Sequence, residues 1–352
     1  MDVAVDYKCT LATPVLSGTG TARVGEEALE IQGEQGGFLL NYAQVRSLHL
    51  HNYHFLLDTP QGPFRLSQMG QDTEGFMEEL WLAYGRRSRE SLFVETVPLR
   101  EAEGDYRYSD QGGTARGTAK VCLYEDCICI LPMDNGARRI PLCFVTELSL
   151  NNYTIRIGLD TGEEYEAARL GRDTIPFFEH LSRLREEAQS RWQRVHKALE
   201  GSLETLAGEA GEAYARFREA CGGQRLISGF FRLPAEGEEL SSFWLCGLGP
   251  GTAAVELVTG EKAATYLYRF SGGEQVFEAR LRHAMEAMGL NRELIYLEEG
   301  PLMEKPLYSM AVERNPHLRF LRAAAAGRVI HTESWGEKVA EHLKGAPAPL
   351  EQ

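Results

Sequence analysis

The sequence predicts an α+β protein: two tandem units of mainly antiparallel strands, each closed by a C-terminal helix, then a long helical linker and a C-terminal α+β domain. Three observations carry this reading. A segment near the start recurs about a hundred residues later with order, spacing and residue type preserved. Within each copy, apolar residues alternate with polar ones at the period of a strand, between Gly, Asn and Asp turns. Each copy then ends on an amphipathic stretch with helical spacing. The expected divisions are 1–90, 91–192, a helical linker at 193–222, a C-terminal domain at 223–345 and a disordered tail at 346–352.

The repeat is read by laying VRSLHLHNYHFLLDT from Val45 over VTELSLNNYTIRIGLDT from Val145, where Val, Leu, Asn and Tyr recur at an offset of 100. Further on, GQDTEGFMEEL from Gly70 matches GRDTIPFFEHL from Gly171 at an offset of 101. Upstream, GTARV from Gly20 meets GTAKV from Gly117 at an offset of 97, and small insertions between strands account for the drift.

In the first copy, strands are expected near Val3 to Cys9, Gly18 to Val24, Ala28 to Ile31, Gly37 to Leu40, Gln44 to Leu50, His54 to Asp58 and Pro63 to Ser67. A helix follows from about Thr73. Asp72 and Asp173, each followed by Thr, read as N-caps ahead of the apolar spacings Phe76, Leu80 and Phe177, Leu181, Leu184.

Hairpins carrying Asn-Tyr, the polar turn Asp160-Thr161-Gly162-Glu163 and the closing helix with FFEHL together resemble the pleckstrin-homology-like superfamily, which includes GRAM and bacterial PH domains. The resemblance covers about Met1 to Trp192 as two copies. It implies bent barrels whose open ends are plugged by the helices, with Phe76, Leu80, Phe177 and Leu181 as the plugging residues. Lipid binding, known for many relatives, would want basic residues on the loop between the first two strands. The second copy places Arg107, Arg116 and Lys120 there, interleaved with Glu103, Asp105 and Asp110, whereas the first has only Lys8 and Arg23 nearby.

From about Ile175 to Ala220 the chain reads as one long helical stretch with interspersed charges, weakened by Gly201, Gly208 and Gly211, so that a break or two packed helices are expected. Next, FWLCGLGPGTAAVELV from Phe243 looks like a cofactor loop: a strand running into Gly247, Gly249 and Gly251, then a helix from Thr252, as in a methyltransferase-like enzyme. Two features oppose it. The residues after it alternate like a hairpin about Thr259-Gly260-Glu261, whose TGEK resembles TGEE at Thr161, and the GGEQVFEARLRHAMEAM that follows has helical spacing, so a degenerate third copy is a candidate. The ribose-binding acid that such a site wants is absent from Arg269-Phe270-Ser271. The plainer reading is a Gly-Pro-Gly turn between strands. Beyond Leu290, RELIYLEE and LYSMAVE read as strands, and NPHLRFLRAAAAG and SWGEKVAEHLKG as helices with Asn or Ser caps.

Two clusters invite a metal. His49, His51 and His54 crowd one hairpin, and histidine is the commonest metal ligand. Their counterparts in the second copy are Ser149, Asn151 and Thr154, so they read as occupants of an exchangeable polar face. Cys122, Cys127 and Cys129 flank Glu125-Asp126, with Cys143 on a neighbouring strand, but C-x-C is a poor zinc chelate and the first copy has Ala28 and Glu30 at the latter two positions. They read as small semi-buried residues.

Composition narrows the function. A formal net charge of -14 opposes nucleic acid and anionic membrane, and the only basic runs are the short Arg86-Arg87-Ser88-Arg89 and Arg138-Arg139. Seven cysteines do not suggest a secreted disulfide framework, no apolar run reaches membrane-spanning length, and a cytoplasmic location is the default expectation. No catalytic triad order, phosphate loop or HExxH pattern occurs. The sequence therefore points to a non-enzymatic scaffold binding a protein or peptide through its barrel-like modules, with no cofactor. A peripheral lipid-binding protein and a cofactor-binding enzyme using the Gly247–Gly251 loop are the alternatives.

Overall fold

The computed structural model describes residues 5–110, 113–234, 237, 240–259 and 264–345. The start of the first expected strand at Val3, the Gly260-Glu261 turn and the 346–352 tail lie outside the described residues. The fold is α+β, with three antiparallel sheets and helices between and around them.

The first sheet contains β1 (Tyr7–Ala12), β2 (Ser17–Val24), β3 (Ala28–Gly33), β4 (Gly36–Asn41), β5 (Ser47–His51), β6 (His54–Asp58) and β7 (Phe64–Ser67), followed by helix α1 (Thr73–Ser91). The second contains β8 (Arg100–Asp110), β9 (Gly113–Leu123), β10 (Cys127–Pro132), β11 (Arg138–Pro141), β12 (Val145–Asn151), β13 (Thr154–Leu159) and β14 (Glu164–Ala168), followed by α2 (Thr174–Ser202). Their strand orders are equivalent, β4-β3-β2-β1-β7-β6-β5 and β11-β10-β9-β8-β14-β13-β12, so in each the first strand pairs with the last.

The backbone repeats in the same detail. Asn52 and Tyr53 turn the β5–β6 hairpin at φ 49° and 59°, and Asn152 and Tyr153 turn β12–β13 at 48° and 57°. Consecutive left-handed residues give the two-residue turn that suits strand twist, and Asn tolerates that region well. Ahead of each helix a short 3-10 turn, Gly70–Asp72 or Gly171–Asp173, begins at a glycine with φ of 60° or 61°. Here the expected caps are corrected: Asp72 and Asp173 have helical backbone angles and make no side-chain cap bond. Thr73 and Thr174 instead donate to the carbonyls of Gly70 and Gly171 at 2.8 and 2.9 Å, tying each helix to its preceding turn. Phe76 and Leu80 of α1, and Phe177 and Leu181 of α2, are fully buried in the core of their own sheet.

The third sheet is a plain meander of β15 (Arg225–Phe230), β16 (Phe243–Gly249), β17 (Thr252–Val258), β18 (Ala264–Arg269) and β19 (Ala325–Ile330). Between β18 and β19 run α4 (Glu274–Met288), α5 (Glu293–Tyr296), α6 (Glu299–Met303), α7 (Pro306–Arg314) and α8 (Pro316–Ala324). Ahead of the sheet lies α3 (Gly208–Ala220), and after it α9 (Trp335–Leu343). Its first and last strands do not pair, so the chain does not build a third copy of the seven-stranded unit. RELIYLEE and LYSMAVE are largely helical, as α5 and α7, because their short apolar runs fit either period and packing selects the helix. The end of the expected helix NPHLRFLRAAAAG becomes β19, while Asn315 does cap α8 by accepting from the amides of His317 and Leu318.

Both faces of the third sheet are covered. Trp244, Cys246, Val255 and Tyr268 pack on α4 and α8, whereas Leu245, Ala254 and Val258 pack on α3 and α9. Every residue of β16 and β17 is buried in consequence, which explains continuous apolar runs in place of alternation. The long helical stretch breaks after Ser202, and residues 193–222 contribute Leu199, Leu203, Tyr214 and Phe217 to the α3–α9 layer. Among the described residues, no helix is long and apolar enough to cross a membrane.

Candidate functional site

The glycine motif is a tight hairpin. Gly247 and Gly249 lie within β16, and Pro250-Gly251 turns directly into strand β17 where the cofactor reading required a helix. A Cβ on Gly247 would stand 2.5 Å from Cys221 Sγ, and one on Gly249 would stand 1.9 Å from the Leu343 carbonyl oxygen. These glycines let α3 and α9 approach the sheet, and the space a phosphate or ribose would take is occupied by the chain itself.

The three histidines are exposed on the β5–β6 hairpin, with His51 and His54 directly opposite each other and His49 opposite Leu56. Cys122 faces Cys129 across β9–β10, and Cys122, Cys127 and Cys129 are buried with Leu92, Val94, Tyr124 and Leu131. Among the described residues no three His, Cys, Asp or Glu side chains form a metal-holding group. Burial pushes the Cys122 thiol up to about 12 and Cys129 well above its usual value. The first copy shows why thiols occur here: β3 carries exposed Glu30 where β10 carries Cys129, because the outer face of β3 meets solvent while that of β10 meets the Leu92–Val94 segment.

The proposed lipid-binding positions are also relocated. Arg107, Arg116 and Lys120 lie within β8 and β9, not on the intervening loop. Arg107 stands between Arg116 and Glu166 of the neighbouring strands, and Lys120 is ion-paired with Glu101 at 3.4 Å. Basic charge is thereby interleaved with acid along a strand pair.

Two features that no sequence motif marks lie between the units. The first is a buried polar junction. His283 of α4 contacts Asp160 at 2.6 Å and His317 of α8 contacts Glu163 at 3.3 Å, both acids belonging to the β13–β14 turn. The two imidazole rings lie 4.5 Å apart. Arg139 of β11 binds Asp126 at 2.7 Å and pairs with Glu286 of α4. Arg138 binds Asp110 at 2.9 Å, Arg314 of α7 donates to the Tyr84 hydroxyl at 3.0 Å, and Arg232 donates to the Phe93 carbonyl at 2.6 Å. Burial and the adjacent His283 hold the His317 imidazole below its ordinary pKa. Glu163 is pushed up by burial, but the hydrogen bond and charge of His317, the His283 charge and the Tyr165 hydroxyl outweigh this and hold it below the usual carboxylate range. Unpaired buried charges are costly, so these contacts fix how the units meet.

The second feature is a cleft of about 480 Å³ between α1 and the outer face of β8–β10. Along α1, Glu78, Trp81, Leu82, Gly85 and Arg89 form one stripe at helical spacing, with Arg86 beside it. The opposite wall is Glu101 and Glu103 of β8, Lys120 and Cys122 of β9 and Leu131 of β10. Leu82 is 54% exposed. Gly85 occupies a helix interior, where glycine costs about 1 kcal/mol against alanine. A Cβ there meets nothing within 4 Å, so packing does not demand the glycine.

The basic run Arg86-Arg87-Ser88-Arg89 was the sequence signal for this cleft, but helical periodicity divides it. Arg86 and Arg89 face the cleft, whereas Arg87 turns inward to Glu27 at 3.2 Å and Glu90 at 3.0 Å. Trp81 and Gly85 carried no signal, because their role depends on the second unit lying across from them.

No protein-family model matches this chain, and no curated protein matches it. Among solved structures it is similar to one described as the structure of the Spt16D Pob3N heterodimer, at 14% identity over 46% of this chain and 84% of that chain, with a TM-score of 0.19. A score of that size gives no basis for transferring a fold or an activity.

Proposed function

We propose that the chain is a non-enzymatic scaffold for protein or peptide partners, and that its first two units are pleckstrin-homology-like modules. The module reading is supported by the strand order common to both sheets, with first strand beside last, and by the terminal helix that fills each core with Phe76 and Leu80 or Phe177 and Leu181. The observation that carries the interaction reading is the cleft at their junction. Elsewhere the two units are joined by main-chain hydrogen bonds, Leu48 donating to the Met133 carbonyl and Asn135 to the Arg46 carbonyl, yet here Trp81 and Leu82 border open space. Grooves beside a helix with apolar walls and charged rims suit peptide segments, which supply the missing side chains.

Affinity capture with the full chain from its native host tests this reading. A reproducible set of partners retained at physiological salt is expected, and replicate captures without any would overturn it. Vesicles containing phosphoinositides are expected to leave the protein in the supernatant. Melting with S-adenosylmethionine or nucleotides is expected to show no shift, and a clear shift would overturn the non-enzymatic reading.

A further inference from the structure

We infer that β4, the free edge of the first sheet, pairs antiparallel with β4 of a second copy of this chain, so that two molecules share one continuous sheet. This contact is independent of the cleft and of the scaffold reading. β4 is the outermost strand of its sheet and is bonded to β3 on one side. In an antiparallel ladder alternate residues turn their amide and carbonyl away from the neighbouring strand, so an outermost strand offers a row of main-chain groups to an arriving one.

The other three edges of the two seven-stranded sheets are each closed or guarded. β5 receives the second unit, with Leu48 donating to the Met133 carbonyl and Asn135 to the Arg46 carbonyl, both at 2.9 Å. β11 is four residues long, ends on Pro141 and carries Arg139, which is bound to Glu286 of α4. β12 has a bulge between Val145 and Glu147, and Glu147 adds a charge. β4, with the sequence GGFLLN, has no charge, no proline and no bulge, and its Leu39 is 64% exposed. Each device by which an edge resists pairing is missing from this strand alone of the four.

Charge and register commit the edge to its own copy. The charged side chains beside β4 already neutralise one another, Arg23 binding Asp6 at 2.8 Å and Glu30 at 3.8 Å. A charged peptide would find its counter-ions taken, whereas an uncharged strand gives up nothing. Two molecules of formal net charge -14 repel over most of their surfaces, but β4 against β4 brings no carboxylates face to face.

Opposite residues of an antiparallel pair point to the same face, so a two-fold axis at Leu39 sets Leu39 against its counterpart, Gly37 against Asn41 and Phe38 against Leu40. Within one copy Arg23 lies opposite Glu30 and Glu30 opposite Leu39. The shared outer face then reads Arg23, Glu30, Leu39 and the same three in reverse, an apolar contact between two ion pairs. On the inner face Phe38, half-buried and 5.5 Å from the Phe64 ring, gains Leu40 of the other copy beside it, which carries the first core across the seam. The strand is its own complement, as a two-fold contact requires.

Sedimentation of the full chain from about 1 to about 100 µM, the range in which a small interface dissociates, tests this. A mass near twice 39.3 kDa is expected at the upper end, falling towards that of one chain on dilution. Leu39→Lys is expected to stay monomeric throughout and to melt with the dilute wild type, since this side chain lies outside the core. Leu39→Cys treated with diamide is expected to form a disulfide-linked dimer roughly tenfold or more faster than Leu290→Cys, whose site in the C-terminal part is 63% exposed. A wild type that is monomeric at every concentration, a Leu39→Lys variant that still dimerises, or equal cross-linking at both positions would each overturn the inference. So would a monomer that takes a foreign strand at β4.

Discussion

Glu163 and His317 meet at 3.3 Å across the boundary between the second sheet and the C-terminal helices, each only 3% exposed. Their neighbours complete a small buried set: Tyr165 also donates to Glu163, and His283 lies against His317 while contacting Asp160. Three separate elements, the β13–β14 turn, α4 and α8, are registered against one another by these side chains.

Acid is expected to loosen this junction in two stages. His317 has a lowered pKa in the folded chain, so the unfolded chain binds its proton first, and stability is lost as pH falls below the ordinary histidine value of about 6.5. Glu163 is also lowered, so its contribution is present above the ordinary glutamate value of about 4.3 and disappears as pH falls through its folded value. Unfolding free energies from urea titrations between pH 7.5 and 5.5 should fall, by at most about 1.4 kcal/mol per pH unit for the one imidazole. His317→Gln should flatten that slope; an equally steep slope in the variant would refute the assignment.

Arg139 neutralises Asp126 and Glu286 through a side chain that is itself only 5% exposed. Arg139→Met is expected to cost about 3–5 kcal/mol, because it leaves Glu286 buried without its cation. Adding Glu286→Leu should restore a large part of that loss, as replacement of a whole buried pair by apolar groups is often close to neutral. A double-mutant cycle in urea reads the coupling.

Two glycine substitutions should act in opposite directions. Gly85→Ala adds a methyl where nothing stands within 4 Å and is expected to raise stability by about 1 kcal/mol. Gly249→Ala would drive a methyl into the Leu343 carbonyl, and overpacking of this kind costs about 1–3 kcal/mol or more. Proteolysis near α9 should accelerate in the second variant alone, since that helix is the element displaced.

The thiols should be silent in the native protein. Burial raises Cys122 and Cys221 to about 12 and Cys9 to about 11, far from the value at which a thiolate forms near neutrality. Titration with a disulfide reagent at pH 7.5 is expected to label none rapidly and all seven once the chain is unfolded in guanidinium. Rapid native labelling of Cys127 or Cys129 would contradict their enclosure.

Much of the first two units could be read from the chain. The strand predicted at His54 to Asp58 has the observed bounds, and the helix predicted from Thr73 begins there. This worked because one face of each strand is buried, so the pattern is strict, and because two copies report the same turn twice. Asp72 and Asp173 do stand just before their helices but make no side-chain cap bond, since a left-handed glycine followed by a 3-10 turn supplies the geometry that a capping side chain otherwise supplies. In the C-terminal part, Leu294 and Ile295 are adjacent and both buried, a pattern that suits a strand as well as one short helical turn. The candidate site was the least legible. Neither Gly85 nor the Glu163–His317 contact has a local cause; each depends on which element arrives from elsewhere in the chain.

The polar character of the junction also governs what happens when the chain is cut. Where domains are joined by oily surfaces, separated pieces tend to precipitate. Here the newly bared surface would display Arg139, Asp160, Glu163, His283 and Glu286, groups that water solvates well. Fragments divided between the second sheet and the helices beyond it would therefore stay dispersed and could recombine. Their encounter would be hastened by attraction between complementary charges and slowed by added salt.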